Sequence, residues 1–232
     1  MGIESRDYYR ERNSYSTSFS SESQITKFVK ETYKLFGASL LAGALGSYLT
    51  IPYVGTIIEY KFMFFILEII LLIGLFFTKK MPGINLINLF AFTFMTGVTS
   101  VPLMVSVVNI TGGLAIIGNA FLMTSVIMGI MSYFAIKTKT DFTSYTKPML
   151  IALLVIIGFS LINVFFLHNP MISVVISGIV VLLFSFMTII DTQNIIRGAY
   201  ETPIEGAVAL YLDFLNIFLS LLQLLGIFNS EE

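Results

Sequence analysis

Acidic side chains inside long apolar segments are the residues of this sequence most able to do chemistry. Glu68, Asp191 and Asp213 each lie within such a segment. An ionised side chain at the centre of a bilayer costs about 2.5–3.5 kcal/mol on insertion scales, and intramembrane acids commonly mark proton relays and ion pathways. Each of the three is therefore a candidate for binding a proton or a cation.

The apolar segment nearest the C-terminus carries its polar residues on one side. Asp213, Asn216, Ser220 and Gln223 follow one another at intervals of three, four and three residues. This spacing places them on one face of an α-helix, which is expected to face the interior of a bundle. Asn216, Ser220 and Gln223 either line a water-filled path or form interhelical hydrogen bonds. For Asp213 the functional interpretation is favoured.

Asp191 and Asp213 are expected to be neighbours, because a short loop joins the segments that carry them. Two close carboxylates cannot both ionise cheaply. The pair would hold a proton near neutral pH, release it as the pH rises, and offer a cation site once both groups are ionised. Asp191 lies near the C-terminal end of its segment, where the helix dipole disfavours an anion. The alternative for Asp191 is a solvated residue at the membrane edge.

Other polar residues give weaker indications. Glu68 has no nearby partner in its segment, so it either faces the interior or is protonated. Lys79 and Lys80 follow that segment and are expected to anchor it by reaching the membrane surface. His168 is the only histidine, and no second ligand accompanies it, so we predict no metal site there.

The composition indicates that these segments lie in lipid. Only 12% of the 232 residues are charged, against about 25% in soluble domains, and 56% are hydrophobic. The net charge of −1 offers no basic excess for a nucleic-acid partner. The absence of cysteine excludes disulfides and thiolate catalysis.

The length of the apolar runs predicts an all-α integral membrane protein with seven transmembrane helices, since about 20 apolar residues cross the hydrocarbon core. The loops between them are short, which favours one compact bundle, and the odd number weakens an inverted-repeat transporter. The expected spans are roughly 29–50, 60–78, 86–108, 114–136, 148–168, 171–192 and 206–228.

The distribution of positive charge predicts the orientation. With seven spans, the N-terminal segment and the loops after the second, fourth and sixth spans lie on one side of the membrane. Twelve lysines and arginines fall on that side, and Lys61 alone falls on the other side. This asymmetry places the N-terminus in the cytoplasm. Residues 1–26 are polar and rich in serine and tyrosine, so we expect a disordered cytosolic tail before a transmembrane domain at 27–230.

The stretch ALYLDFLNIFLSLLQLLG at 209–226 is the longest of several segments that match a known family. It is similar to the C-terminal signature of the Bax inhibitor-1 family, also called the transmembrane Bax-inhibitor-motif family, and especially of its bacterial YetJ-like and YccA-like members. The resemblance covers roughly residues 25–228. Shorter matching segments are IDTQNI at 190–195, ILEI at 66–69 and FTFMTGVT at 92–99.

The resemblance implies a bundle in which the seventh helix is central, and a pH-sensitive calcium leak channel. It assigns proton sensing, with transient calcium binding, to Asp191 and Asp213, and a pore acid to Glu68. An arginine that latches the pair in channel-like relatives corresponds here to Lys79. Because lysine is a compact charge without a bidentate fork, the latch is expected to be weaker or absent.

Three functions follow as hypotheses, and none is enzymatic because no nucleophile and base pair stands out. The first is a calcium leak of the bacterial inner membrane, gated by protonation of the aspartates. The second, implied by YccA-like and eukaryotic relatives, is an interaction protein that regulates a membrane-embedded AAA-type protease or a cell-death response. The third is a secondary transporter. The expected partners are membrane lipids, calcium and protons, without a cofactor, and the sequence leaves the oligomeric state open.

Overall fold

The computed structural model describes residues 4–110 and 112–230, and this part of the chain is helical without strands. The helices are α1 (Glu4–Thr50), α2 (Val54–Glu59), α3 (Lys61–Thr78), α4 (Ile84–Val108), α5 (Gly113–Lys137), α6 (Thr146–Ile162), α7 (Pro170–Ile196) and α8 (Pro203–Ser230). A 3-10 turn, Ile51–Tyr53, joins α1 to α2, and another, Thr143–Tyr145, precedes α6. A π-helical turn, Asn163–Leu167, follows α6.

The prediction of seven spans is confirmed, since the described residues include seven helical segments long and apolar enough to cross a membrane. The first runs over Ser23–Glu59, longer than the expected 29–50, because Pro52 begins a new helical turn that continues into α2. The expected span 148–168 is α6 only to Ile162, after which the π-helical turn follows.

The segment 1–26 falls mostly in the first part of α1, which begins at Glu4. The disorder expected for this tail stays a prediction, and residues 1–3 lie outside the described residues. The first membrane span begins after most of this segment, at Ser23.

Helix α8 lies at the centre of the bundle, as expected for the seventh span. It packs against α1, α4, α5 and α7, and half of its most apolar window is buried inside the protein. Leu210, Ile217 and Leu222 are almost fully buried. In contrast, α3 and α6 are peripheral, with little or none of their apolar windows buried against protein.

Glycine allows a close helix crossing between α1 and α4. A Cβ atom on Gly97 would overlap the carbonyl oxygen of Gly43, and one on Gly46 would overlap the carbonyl of Phe94. Small residues let two membrane helices approach until their backbones touch. This crossing fixes α4 beside α8 and thereby sets the position of the polar side chains that both helices carry.

The loops after α3, α5 and α7 meet at one end of the bundle. Lys79 and Lys80 contact Glu201, and Arg197 contacts Asp141, all through ion pairs. These loops follow the second, fourth and sixth spans, which end on the same side of a membrane. The arrangement gathers much of the positive charge at that end. The assignment of that end to the cytoplasm stays a prediction.

Labelling of single cysteines tests this orientation, because the natural chain has none. We expect Lys61→Cys to react with a membrane-impermeant maleimide in intact cells. Lys80→Cys, at the opposite end, should react only after the membrane is opened. The reverse pattern would place the N-terminus outside.

Candidate functional site

Asp191 and Asp213 are buried and line the same cavity. Their exposed fractions are 4% and 1%, and the cavity has a volume of about 450 Å³. Its walls come from α3, α6, α7 and α8. The structure therefore brings together the two acids that the sequence selected, in a space shielded from bulk water.

The local sequence explains how the two carboxylates reach one cavity. Asp191 lies near the end of α7, and Asp213 lies three turns into α8. Gly198, with φ of 63°, allows the chain to reverse in the loop between them. Because α7 and α8 are antiparallel neighbours joined by this short loop, both positions face the same interior space.

Tyr200 is the hydrogen-bond donor to Asp191. Its hydroxyl lies 2.8 Å from Oδ1 of Asp191, and its ring lines the cavity from the loop between α7 and α8. Burial raises the pKa of Tyr200, and the negative charge of Asp191 adds to this effect. Tyr200 is therefore protonated at all physiological pH values and available to donate.

One oxygen of Asp213 lacks a partner. Oδ2 is buried and accepts no hydrogen bond from any described residue. A buried polar atom without a partner costs about 1–3 kcal/mol, and more when it is charged. A proton on this carboxyl group would remove its charge and with it much of this cost.

Lys79 does not contact either aspartate, although it lines their cavity. Its ammonium lies 2.6 Å from Oε1 of Glu205 and 3.3 Å from Oε2 of Glu201. The hydrogen bond to Glu205 raises the pKa of Lys79 above its usual range. Within the described residues Lys79 thus binds the start of α8 and the preceding loop, and a weaker or absent latch on the aspartates stays a prediction.

Ion pairs attach the loop at 197–202 to its neighbours. Lys80 lies 2.8 Å from Glu201, and Arg197 lies 2.6 Å from Asp141. The contacts of Lys80 and Lys79 lower the pKa of Glu201. Hydrogen bonds from Thr143 and Arg197 lower the pKa of Asp141 to about 2. Since depressed carboxyl pKa values keep these groups ionised until the pH falls well below neutrality, the attachments do not titrate near neutral pH.

Glu205 also caps the helix that carries Asp213. Its Oε2 accepts hydrogen bonds from the backbone N–H groups of Glu201 and Thr202, at 2.8 and 3.2 Å. Thr202 and Glu205 occupy the positions of a capping box around Pro203, the first residue of α8. One side chain thus fixes both the loop and the first turn of α8.

Two substitutions separate these roles of Glu205. Glu205→Gln keeps an oxygen for the cap but removes the charge. We expect its thermal stability in detergent to remain close to that of the natural protein and no longer to depend on the salt concentration. Glu205→Ala removes both and should cost about 1 kcal/mol, as other lost helix caps do. Equal stability of the two variants would contradict the capping role.

Glu68 lies apart from the aspartate pair and has a partner. Thr99 on α4 donates a hydrogen bond of 2.7 Å to Oε2 of Glu68, so the partner of this acid comes from another helix and not from its own segment. Close by, Tyr211 on α8 hydrogen-bonds to Thr96 and, at 3.1 Å, to the carbonyl oxygen of Thr93. A second polar cluster therefore links α3, α4 and α8.

The remaining polar residues of α8 have mixed roles. Gln223 accepts a hydrogen bond of 2.8 Å from Ser177 on α7, which favours interhelical bonding for this position. Asn216 donates to the carbonyl oxygen of Leu212 in its own helix, at 2.7 Å. Ser220 is buried. The residues of the polar face predicted from the spacing therefore differ in whether they bond to a neighbouring helix or to their own.

No group of three or more histidine, cysteine, aspartate or glutamate side chains is close enough to hold a metal ion within the described residues. Asp191 and Asp213 alone supply fewer oxygens than the six to eight that bind Ca²⁺ tightly. The two carboxylates therefore suit a calcium ion in passage and not one that is tightly bound. The candidate site is a carboxylate pair with a tyrosine donor.

The sequence interpretation missed Tyr200, Glu201 and Glu205. The signal for Glu205 was present, because Thr202-Pro203-Ile204-Glu205 matches a capping box with proline at the first helical position. Tyr200 carried no comparable signal, since its contact with Asp191 depends on the path of the loop.

These features define a polytopic α-helical membrane protein with a buried carboxylate pair. The model of the family described as "Inhibitor of apoptosis-promoting Bax1" matches residues 25–230, and the chain belongs to this Bax inhibitor-1 family.

Bacterial relatives extend this comparison over nearly the whole chain. An uncharacterized protein of Helicobacter pylori strain J99 is 46% identical, over 97% of this chain and 98% of its own. The protein Cj0236c of Campylobacter jejuni is also 46% identical, over the full length of both chains. An uncharacterized membrane protein of Vibrio cholerae is 27% identical over 90% of this chain and 93% of its own.

Proposed function

We propose that the protein is a proton-regulated calcium leak of the bacterial inner membrane. The observation that carries the proposal is the placement of Asp191 and Asp213 in one buried cavity, beside a loop fastened by ion pairs. The proposal is passive transport, without a catalytic step. The titratable side chains that line the cavity are Lys79, Asp191, Tyr200, Glu205 and Asp213.

The closed state depends on ionised Asp191. A hydrogen bond to an ionised acceptor contributes about 1.5–3 kcal/mol, roughly twice the contribution of a neutral one. The bond from Tyr200 therefore holds the loop at 197–202 over the cavity most firmly when Asp191 carries its charge. Lys79, which pairs with Glu205 at the same rim, supports this closure.

Protonation opens the loop end of the cavity. A proton on Asp191 removes the negative charge that Tyr200 contacts, and the population shifts toward a state in which the loop has moved away. The calcium leak therefore increases as the pH falls. The ion pairs of Asp141 and Glu201 remain charged over this range, so these loop attachments do not produce the pH response, which we assign to the aspartate pair.

The path of the ion follows the polar side chains. From the outer side a cation would meet Glu68 and Thr99, which adjoin the cluster of Tyr211 and Thr96. It would then reach the unpartnered oxygen of Asp213. Carboxylate oxygens suit calcium, a hard cation, and a few weak ligands allow the ion to leave again.

Tyr200→Phe tests the closure. The variant keeps the ring but removes the donor, so we expect calcium leak into proteoliposomes at alkaline pH to rise about tenfold, the factor that corresponds to 1.4 kcal/mol. The rise at acidic pH should be smaller, because the bond is already weakened there. Tyr145→Phe, at a tyrosine outside the cavity, is the control. Unchanged leak at alkaline pH would contradict the role of Tyr200.

A further inference from the structure

The cavity of the aspartate pair is also a cleft with apolar walls. It lies between α3 and α6, with α7 and α8 behind it. α3 packs mainly on α4, and α6 mainly on α7, so the two front helices stand on opposite sides of the cleft. Its walls include Leu72, Phe76, Leu150, Leu153, Met187 and Leu212.

This cleft opens toward the bilayer. Phe76 is 68% exposed and Leu150 is 46% exposed. Both residues lie within membrane-spanning segments, Lys61–Thr78 and Thr143–Ile162, so the exposed sides of their side chains face lipid. An apolar molecule dissolved in the membrane can therefore reach the cleft without crossing water.

The charges inside the cleft are unbalanced. Its acidic side chains are Asp191, Asp213 and Glu205, and Lys79 is the one basic residue among those that line it. The positive charge of Lys79 is already balanced by its ion pair with Glu205. Oδ2 of Asp213 is buried and has no hydrogen-bond partner among the described residues. Because a buried charge requires a partner, the cleft has an electrostatic preference for a cation.

We propose that this cleft binds amphipathic cations, molecules with an alkyl chain and an ammonium group. The alkyl chain lies along the walls formed by α3 and α6, and the ammonium group contacts the carboxylates of Asp213 and Asp191. A volume of about 450 Å³ lies within the range of about 300–1,000 Å³ that is usual for small-molecule sites. This proposal concerns binding and does not depend on the calcium leak.

Tryptophan fluorescence provides the test, because the chain contains no tryptophan. Leu150→Trp places a single reporter at the rim of the cleft in the full chain, reconstituted in phosphatidylcholine vesicles. The probe is dodecyltrimethylammonium with bromine on its alkyl chain, which quenches tryptophan on contact. The matched probe is the equally brominated dodecyldimethylamine oxide, whose head group has no net charge near neutral pH.

We expect the ammonium probe to quench the reporter saturably and the amine oxide to do so much more weakly. At alkaline pH, where both carboxylates are ionised, Asp213→Asn should weaken binding of the ammonium probe by about tenfold or more, since one charged contact is lost. Ala209→Phe, which fills the cleft and keeps its charges, should also weaken it. Glu59→Gln, at an exposed acid outside the cleft at the end of α2, is the control and should have no effect.

Equal quenching by the two probes would overturn the proposal, because the cleft would then hold alkyl chains without regard to charge. Quenching that never saturates, or that Asp213→Asn leaves unchanged, would overturn it as well. Since the readout is binding, a protein that binds the ammonium probe but conducts no calcium would refute only the leak.

Discussion

Asp213→Asn is expected to produce a calcium leak that no longer rises between alkaline and mildly acidic pH, because Asp191 without a neighbouring carboxylate stays ionised over this range. Asparagine has nearly the shape of aspartate but cannot take up a proton, so the carboxylate pair becomes a single acid. The reason for a large effect is the burial of both groups in one cavity. Interacting acids titrate as a unit, and removal of either member should abolish the shared proton.

The measurement is calcium entry into proteoliposomes across a series of pH values. Leak through the natural protein should rise by about tenfold from alkaline to mildly acidic pH, in line with the loss of a charge-assisted bond of about 1.5–3 kcal/mol. Asp213→Asn and Asp191→Asn should each flatten this curve. Glu59→Gln, at an exposed acid at the end of α2, is the control. A curve unchanged in both aspartate variants would exclude the mechanism.

Gly97→Ala is expected to cause the largest loss of stability among small substitutions in the bundle. The added methyl group would overlap the carbonyl oxygen of Gly43 and lie 2.9 Å from the backbone nitrogen of Ser47. Backbone atoms cannot rotate away as a flexible side chain can, so α1 and α4 must separate. Overpacking usually costs about 1–3 kcal/mol, and we expect the upper part of this range.

Thermal unfolding in a mild detergent measures this effect. Gly129→Ala in α5 is the matched control, because a Cβ atom there has no neighbour within 4 Å, and alanine favours the helix more than glycine does. The control should be as stable as the natural protein or more so. If Gly97→Ala were equally stable, the close approach of α1 and α4 would be incorrect.

The spans were predictable because they depend on a local quantity, the length of an apolar run. Asp213 was predictable for the same reason, since its position within α8 follows from the spacing of four polar residues. The first span is longer than the expected 29–50 because the helical path does not end before Pro52. A proline is also compatible with the first turn of a new helix, and the chain continues through α2.

The contacts that complete the site depend on tertiary structure, and the sequence did not specify them. Lys79 and Glu205 are 126 positions apart, so nothing local distinguishes this pairing from one with Asp191. Thr99 likewise reaches Glu68 from another helix. Residue type and spacing therefore identified the acids, while the donors and counterions that surround them required coordinates.

Isotope-edited infrared spectroscopy tests the central claim most directly, because it detects the stretching band of a protonated carboxyl group. In protein reconstituted in lipid near neutral pH, we predict such a band from a proton shared by Asp191 and Asp213. It should disappear as the pH is raised and be absent from Asp191→Asn and Asp213→Asn. A spectrum in which both carboxyl groups are fully ionised at mildly acidic pH would contradict the account.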